Sequence, residues 1–206
     1  MPNYTLIKNN NDILDFDSIS NFEYDEKKSR FICYIFNINS KKQATEKLDE
    51  VRKANFNAKH IVYLYSLYEN SKENIKFSDD GEPTGTGTKA IYEMIKKENL
   101  TNILVVVVRY FGGILLEAGP LSRAYLSAFK SAYLLTNKKE IIEYTNYNIK
   151  VKYNCIKDFE HEIEKYIKNE NVIIGDKIYN ENIDVDLKIS KNILSEIEPI
   201  INKYII

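Results

Sequence analysis

The sequence predicts an α+β protein of two domains, a larger α/β domain over residues 1–137 and a small ferredoxin-like βαββα domain over residues 138–206. Three observations predict it. Six of the seven glycines, Gly81, Gly85, Gly87, Gly112, Gly113 and Gly119, fall between Phe77 and Tyr125. An unbroken aliphatic run, Ile103 to Val108, lies inside that stretch and has the look of a strand buried on both faces. After residue 140 the pattern becomes regular: alternating Tyr147, Ile149, Val151 and Tyr153, helical spacing at Ile156, Phe159, Ile163 and Tyr166, two more strand-like runs, and a final helix.

Along the first domain, Tyr4 to Ile7 is the one apolar piece of a polar lead-in that includes the asparagine run Asn9–Asn11, and it predicts at most an edge strand. Phe31, Cys33, Ile35 and Ile38 sit in a β-branched and aromatic run. Ser40 and Gln43 have capping-box spacing, and Ala44, Leu48 and Val51 recur as one helix face to about Ala54. His60 to Tyr68 reads as a strand. Thr86 or Thr88 is placed to cap a short helix through Lys97. Pro120 suits the first turn of a helix with Leu121, Tyr125, Ala128 and Ala132 on its core face. Asn137 to Glu140 reads as the linker. In the second domain, 172–179 and 183–189 predict paired strands. Ser190 is the expected cap of the last helix, where Pro199 predicts a kink or an earlier start.

Composition excludes several classes. No apolar run approaches a membrane span, and the N-terminal stretch lacks the features of a signal peptide, so a cytoplasmic protein without membrane contact is expected. Two distant cysteines, Cys33 and Cys155, give neither a disulfide framework nor a zinc set, and no metal or cofactor is expected. Residues 1–137 carry 18 Lys+Arg against 17 Asp+Glu, and residues 138–206 carry 11 against 13. Any nucleic-acid contact must therefore come from a local patch, not a bulk basic field.

Chemistry concentrates around the glycines. Asp79, Asp80 and Glu82 cluster with Gly81 and Pro83, which suits either an acid/base or metal site or a tight turn whose carboxylates accept backbone hydrogen bonds. His60 is either a base or phosphate ligand, or a satisfied structural histidine. Thr84, Gly85, Thr86 and Lys89 border a loop whose amides and following helix suit an anion, although P-loop spacing is absent. Arg109 and Tyr110 end the aliphatic strand: Arg109 either pairs with the acidic turn or faces a ligand, and Tyr110 can stack a base. Arg109, Gly112, Gly113 and Arg123 are expected to build an anion site, with Arg123 in the positive first turn of a helix, where a shared phosphate would relieve it. Glu117 is the competing internal counter-ion.

SDDGEPTGT, TNILVVVVRYFGG and LSRAY, with KKSRFI and AKH upstream, resemble the signature of the YigZ/IMPACT family over about the first two thirds of the chain. The chain departs from the family pattern at Gly87–Ala90, where Ala-Gly-Lys-Pro is usual, and at Leu115–Leu121, where a lysine and two glycines are lost and Glu117 is gained. The resemblance implies a ribosomal protein S5 domain 2-like fold for the first domain and a C-terminal domain like those of elongation factors. It also implies a non-catalytic, translation-associated role with RNA or the ribosome as partner and a link to the stress response. The added N-terminal module of eukaryotic relatives is expected to be absent. A peptidase-like hydrolase using His60 and the acidic turn, and a protein-interaction adaptor, are the alternatives.

Overall fold

The computed structural model describes residues 3–8, 18, 20–69 and 72–206, so the asparagine run lies outside it. The chain divides into two units, residues 1–141 and 142–206.

The first unit is a three-layer arrangement around an antiparallel sheet. Its strands are β2 (Ser20–Glu26), β3 (Ser29–Asn37), β4 (His60–Glu69), β5 (Lys72–Ser78) and β6 (Ile103–Tyr110), in the order β2-β3-β6-β4-β5. The aliphatic run places β6 at the centre. Side chains alternate across a strand, so one run of valines feeds two cores. Leu104, Val106 and Val108 join Tyr34, Phe36 and Ile61 under helix α1 (Lys41–Ala54), which contributes Ala44, Leu48 and Val51. Ile103, Val105 and Val107 join Phe31, Cys33, Val62 and Leu64 on the opposite face. Helices α2 (Lys89–Lys97) and α3 (Ala118–Tyr133) close that face with Ile91, Ile95, Leu121, Tyr125, Ala128 and Phe129. Burial pushes the Cys33 thiol far above its ordinary range, which makes it an inert core residue.

Local chemistry sets the boundaries. The Ser40 hydroxyl accepts from the Gln43 amide at 3.2 Å, and the Gln43 side chain returns the bond to the amide of Asn39 at 2.8 Å. The box therefore closes one residue earlier than the usual form. Lys27 and Lys28, with φ of 45° and 63°, form the two-residue connection of the β2–β3 hairpin. Helix α3 starts at Ala118, so Pro120 is its third residue and Arg123 falls in the second turn, not the first.

Two polar strands depart from the sequence reading. The stretch taken as a linker is β7 (Thr136–Glu140), paired antiparallel with β1 (Tyr4–Lys8), which moves the end of the first unit to Ile141. Lys72–Ser78 pairs with β4 as the edge strand β5. Edge strands are stabilised by backbone ladders and tolerate charged faces, so β7 carries no apolar alternation to betray it and β5 only the pair Ile75 and Phe77.

The second unit runs β8 (Tyr144–Val151), α4 (Ile156–Lys168), β9 (Val172–Tyr179), β10 (Ile183–Ser190) and α5 (Leu194–Tyr204). Strand β10 lies between β8 and β9 and is antiparallel to both. Ile149, Val151, Val185, Leu187 and Ile189 pack against Phe159, Ile163, Ile197 and Ile201 of the two helices. Ser190 does not cap α5: a 3-10 turn, Lys191–Ile193, intervenes, and the Ser190 hydroxyl is buried without a hydrogen-bond partner among the described residues. Pro199 sits inside α5.

Candidate functional site

The site forms where β5, the loop 79–88, the start of β4 and the end of β6 meet. Asp80 and Gly81 turn the chain through consecutive left-handed conformations, φ 47° and 81°, which Asp tolerates and Gly adopts freely. The turn is pinned to β4 twice. The Asp80 carboxylate accepts from the Ile61 amide at 2.6 Å, and the Asp80 carbonyl accepts from His60 Nδ1 at 2.7 Å. A carbonyl can only accept, so Nδ1 carries a proton and donates it to Asp80.

Nε2 lies 3.7 Å from Oε2 of Glu82. The other oxygen of Glu82 accepts from Arg109 Nη1 at 2.6 Å and from the Tyr125 hydroxyl at 2.7 Å. The Glu82 and Arg109 side chains are 4% and 5% exposed, so this is a buried ion pair. The pair is tolerable because the charges neutralise each other at contact distance and the phenol satisfies a further lone pair. The Arg109 guanidinium also lies 5.5 Å from the centre of the Phe31 ring and 5.7 Å from that of Phe111. Its Nε has no hydrogen-bond partner among the described residues. Burial, followed by the charge of Glu82, pushes the Tyr125 phenol far above its ordinary range.

Asp79 governs the glycine loop. Its Oδ2 accepts from the amide of Gly85 at 2.7 Å. Its Oδ1 accepts from the amides of Gly87 and Thr88 at 3.0 and 2.9 Å and from the Thr88 hydroxyl at 3.0 Å. The amides at the N-terminus of α2 therefore already hold an anion, and it is the protein's own. Gly87 is needed here, because a Cβ would stand 2.8 Å from both methyl groups of Val62. Thr86 is buried, with its hydroxyl donating to the Pro83 carbonyl at 2.6 Å, whereas Thr84 and Lys89 are exposed.

The structure thus joins His60, Asp80, Glu82 and Arg109, and disperses the expected anion site. Arg109 is buried and paired with Glu82, so it does not face a solvent ligand. The amides of Gly85, Gly87 and Thr88 are taken by Asp79 and that of Thr86 by the Pro83 carbonyl, so none of these four is left for an external phosphate. Tyr110 does not present a free ring: its hydroxyl donates to Asn55 at 2.7 Å and the Arg30 guanidinium stands 4.6 Å over its face. Gly112 is pressed against the β2–β3 turn, where a Cβ would lie 1.9 Å from the Lys28 carbonyl oxygen, and Gly113, at φ 83°, faces open space. Arg123 and Glu117 are both exposed, and no ion pair joins them. Sequence reasoning missed Tyr125 as a polar participant, since its place on the core face of α3 hides the hydroxyl. Among the described residues, no group of three or more His, Cys, Asp or Glu is arranged to hold a metal ion, and no helix is long and apolar enough to cross a membrane.

The family model described as the Impact N-terminal domain matches residues 27–133, which contain the whole site. The chain is 42% identical to the IMPACT family member YvyE of Bacillus subtilis over 99 residues, covering 48% of this chain and 45% of that one. It is 32% identical to an IMPACT family member of Haemophilus influenzae over 171 residues, 82% of this chain and 81% of that one. Escherichia coli YigZ is 31% identical over 136 residues, 65% of this chain and 66% of that protein. A crystal structure described as that of a hypothetical protein superposes with a TM-score of 0.62 at 23% identity, covering 95% of this chain and 90% of that one, and shares the fold. The family model spans more than half of the chain and takes in the acidic turn, the buried pair and the Gly-Gly loop alike: the chain belongs to the IMPACT family.

Proposed function

We propose that the protein binds RNA or the ribosome and regulates translation without catalysing a reaction. One observation carries this reading. Every carboxylate of the acidic turn is committed to a partner inside the protein: Asp79 to three amides and a hydroxyl, Asp80 to the Ile61 amide, Glu82 to Arg109 and Tyr125. Carboxylates committed in this way hold the surface in shape, and none is paired with an exposed nucleophile as a catalytic set requires. Family membership supports the same direction. The reading takes the first unit as S5 domain 2-like and the second as ferredoxin-like, each a platform for contact with a large partner in the cytoplasm.

The test is co-sedimentation of the full chain with purified ribosomes through a sucrose cushion. Pelleting that declines as salt rises supports the reading, and a protein that stays in the supernatant under all conditions overturns it.

A second reading, a peptidase-like hydrolase, is favoured by the geometry of His60. Its Nδ1 is tied to the Asp80 carbonyl and its Nε2 lies 3.7 Å from Glu82. Peptide turnover lost in His60→Ala with the fold retained would establish that reading.

A further inference from the structure

We propose that one end of the sheet of the first unit is a binding surface for single-stranded RNA, formed by Lys27, Lys28, Lys53, Lys59, Phe56 and Phe111. This rests on the RNA- or ribosome-binding reading above and gives it a place on the molecule.

The topology gathers these residues from four segments. Arg30, at the start of β3, is in register with Tyr110, at the end of β6. The hairpin turn of Lys27 and Lys28 abuts Gly112, whose missing side chain allows the contact. The Lys59 amide donates to the Arg109 carbonyl at 2.9 Å, which brings the α1–β4 connection to the same end. Tyr110 ties α1 to this end through Asn55, the residue just before Phe56.

Two features at this end point to a ligand. Phe56 is 86% exposed, and Phe111, although Arg109 stands near its ring, keeps 48% of its surface exposed. Lys27, Lys28, Lys53 and Lys59 are all exposed, and none forms an ion pair among the described residues. Asp25 and Glu26, which form no ion pair among the described residues either, also belong to the hairpin, and Arg30 lies 3.8 Å from Glu23, so the end is mixed in sign with the ammonium groups in excess. Exposed aromatics beside unpaired cations suit a flexible polyanion with stacking faces. Bases stack on the rings while phosphates meet the ammonium groups, with no need for base-specific hydrogen bonds. A duplex keeps its bases stacked within itself and offers the rings nothing.

Fluorescence anisotropy of the full chain with a labelled single-stranded oligouridylate, run beside the ribosome assay, tests this. Phe56→Ala is expected to weaken RNA binding about ten-fold. Lys27→Gln/Lys28→Gln is expected to make the slope of log affinity against log salt shallower by about 1.4. Phe77→Ala, a control at an exposed phenylalanine on β5, at the sheet edge opposite β2, should change neither. Wild-type protein that pellets with ribosomes but does not bind the oligonucleotide overturns this inference and leaves the proposed function standing. The same holds if the oligonucleotide binds but the Phe56 and lysine variants bind it as well as wild type. Loss of ribosome pelleting in these variants with no RNA affinity in the wild type would make the surface a protein-docking site and overturn the RNA assignment.

Discussion

The loop from Gly81 to Thr88 and the loop from Phe111 to Glu117 are both rich in glycine, yet they do opposite things. In the first, one carboxylate gathers the amides of Gly85, Gly87 and Thr88, a second pins the turn to β4, and a third is buried against Arg109 and Tyr125. In the second, Gly112 is locked against the hairpin while Gly113 faces open space and Ile114 and Leu115 are 42% and 81% exposed. Glycine content marks where a backbone must bend or come close. Whether its amides are free depends on whether the same sequence supplies an anion to take them, and here Asp79 does.

That contrast can be broken most forcefully at the buried pair. Glu82→Ala leaves Arg109 charged and unpaired in the interior and is expected to destabilise the fold by about 3–5 kcal/mol, measured by urea unfolding. A loss below about 1 kcal/mol would mean that the closed loop is not held by this pair. Next comes the division within the second loop. Gly112→Ala drives a Cβ into the Lys28 carbonyl and should cost about 3 kcal/mol, against about 1 kcal/mol for Gly113→Ala, whose penalty is only its left-handed backbone. Equal costs would show the hairpin contact to be soft.

Asp79→Ala should cost about 2 kcal/mol, because three amides and the start of α2 lose their acceptor. It should also open the loop to an external anion, so that added phosphate raises the melting temperature of the variant and not of the wild type.

The alkaline limb sharpens the comparison further. The phenol of Tyr125 has its folded-state pKa raised, so its contribution is complete below its ordinary value near 10 and is lost as pH climbs above that, because the unfolded chain ionises first. Wild type should lose up to about 1.4 kcal/mol more per pH unit there than Tyr125→Phe. Parallel curves would contradict the burial of the hydroxyl. The smallest effect belongs to the open loop: Leu115→Ser should change stability by less than about 0.5 kcal/mol.

The elements with apolar periodicity were legible in the sequence. The valine run of β6, the Ala44–Leu48–Val51 face of α1 and the alternation in β8 each announce a side that must be buried, and burial is what periodicity records. Strands β5 and β7 were not legible, because they are held by backbone hydrogen bonds that any residue but proline can make. At the site, the acidic turn and its histidine stood out as residues, and one reading of Arg109 already paired it with the turn. The choice among Asp79, Asp80 and Glu82 as its partner was closed to the sequence, since it depends on which side chain the Asp80–Gly81 turn directs inward. Tyr125 shows the same limit: a helical period marks a face as buried but cannot show that a hydroxyl on that face has met a carboxylate.

The pairing of β1 with β7 has a consequence for the order in which the first unit is made. Its opening strand leaves the ribosome first and its partner, Thr136–Glu140, last. Leu6, fully buried, contributes to the core beneath α2 and α3, and Tyr4 exchanges backbone bonds with the segment around Leu100. Throughout synthesis of the intervening strands and helices that leading segment has no finished ladder to join. Closure of the first unit is therefore a late, long-range event, and a nascent chain halted before Thr136 should remain protease-sensitive even with its central sheet already translated.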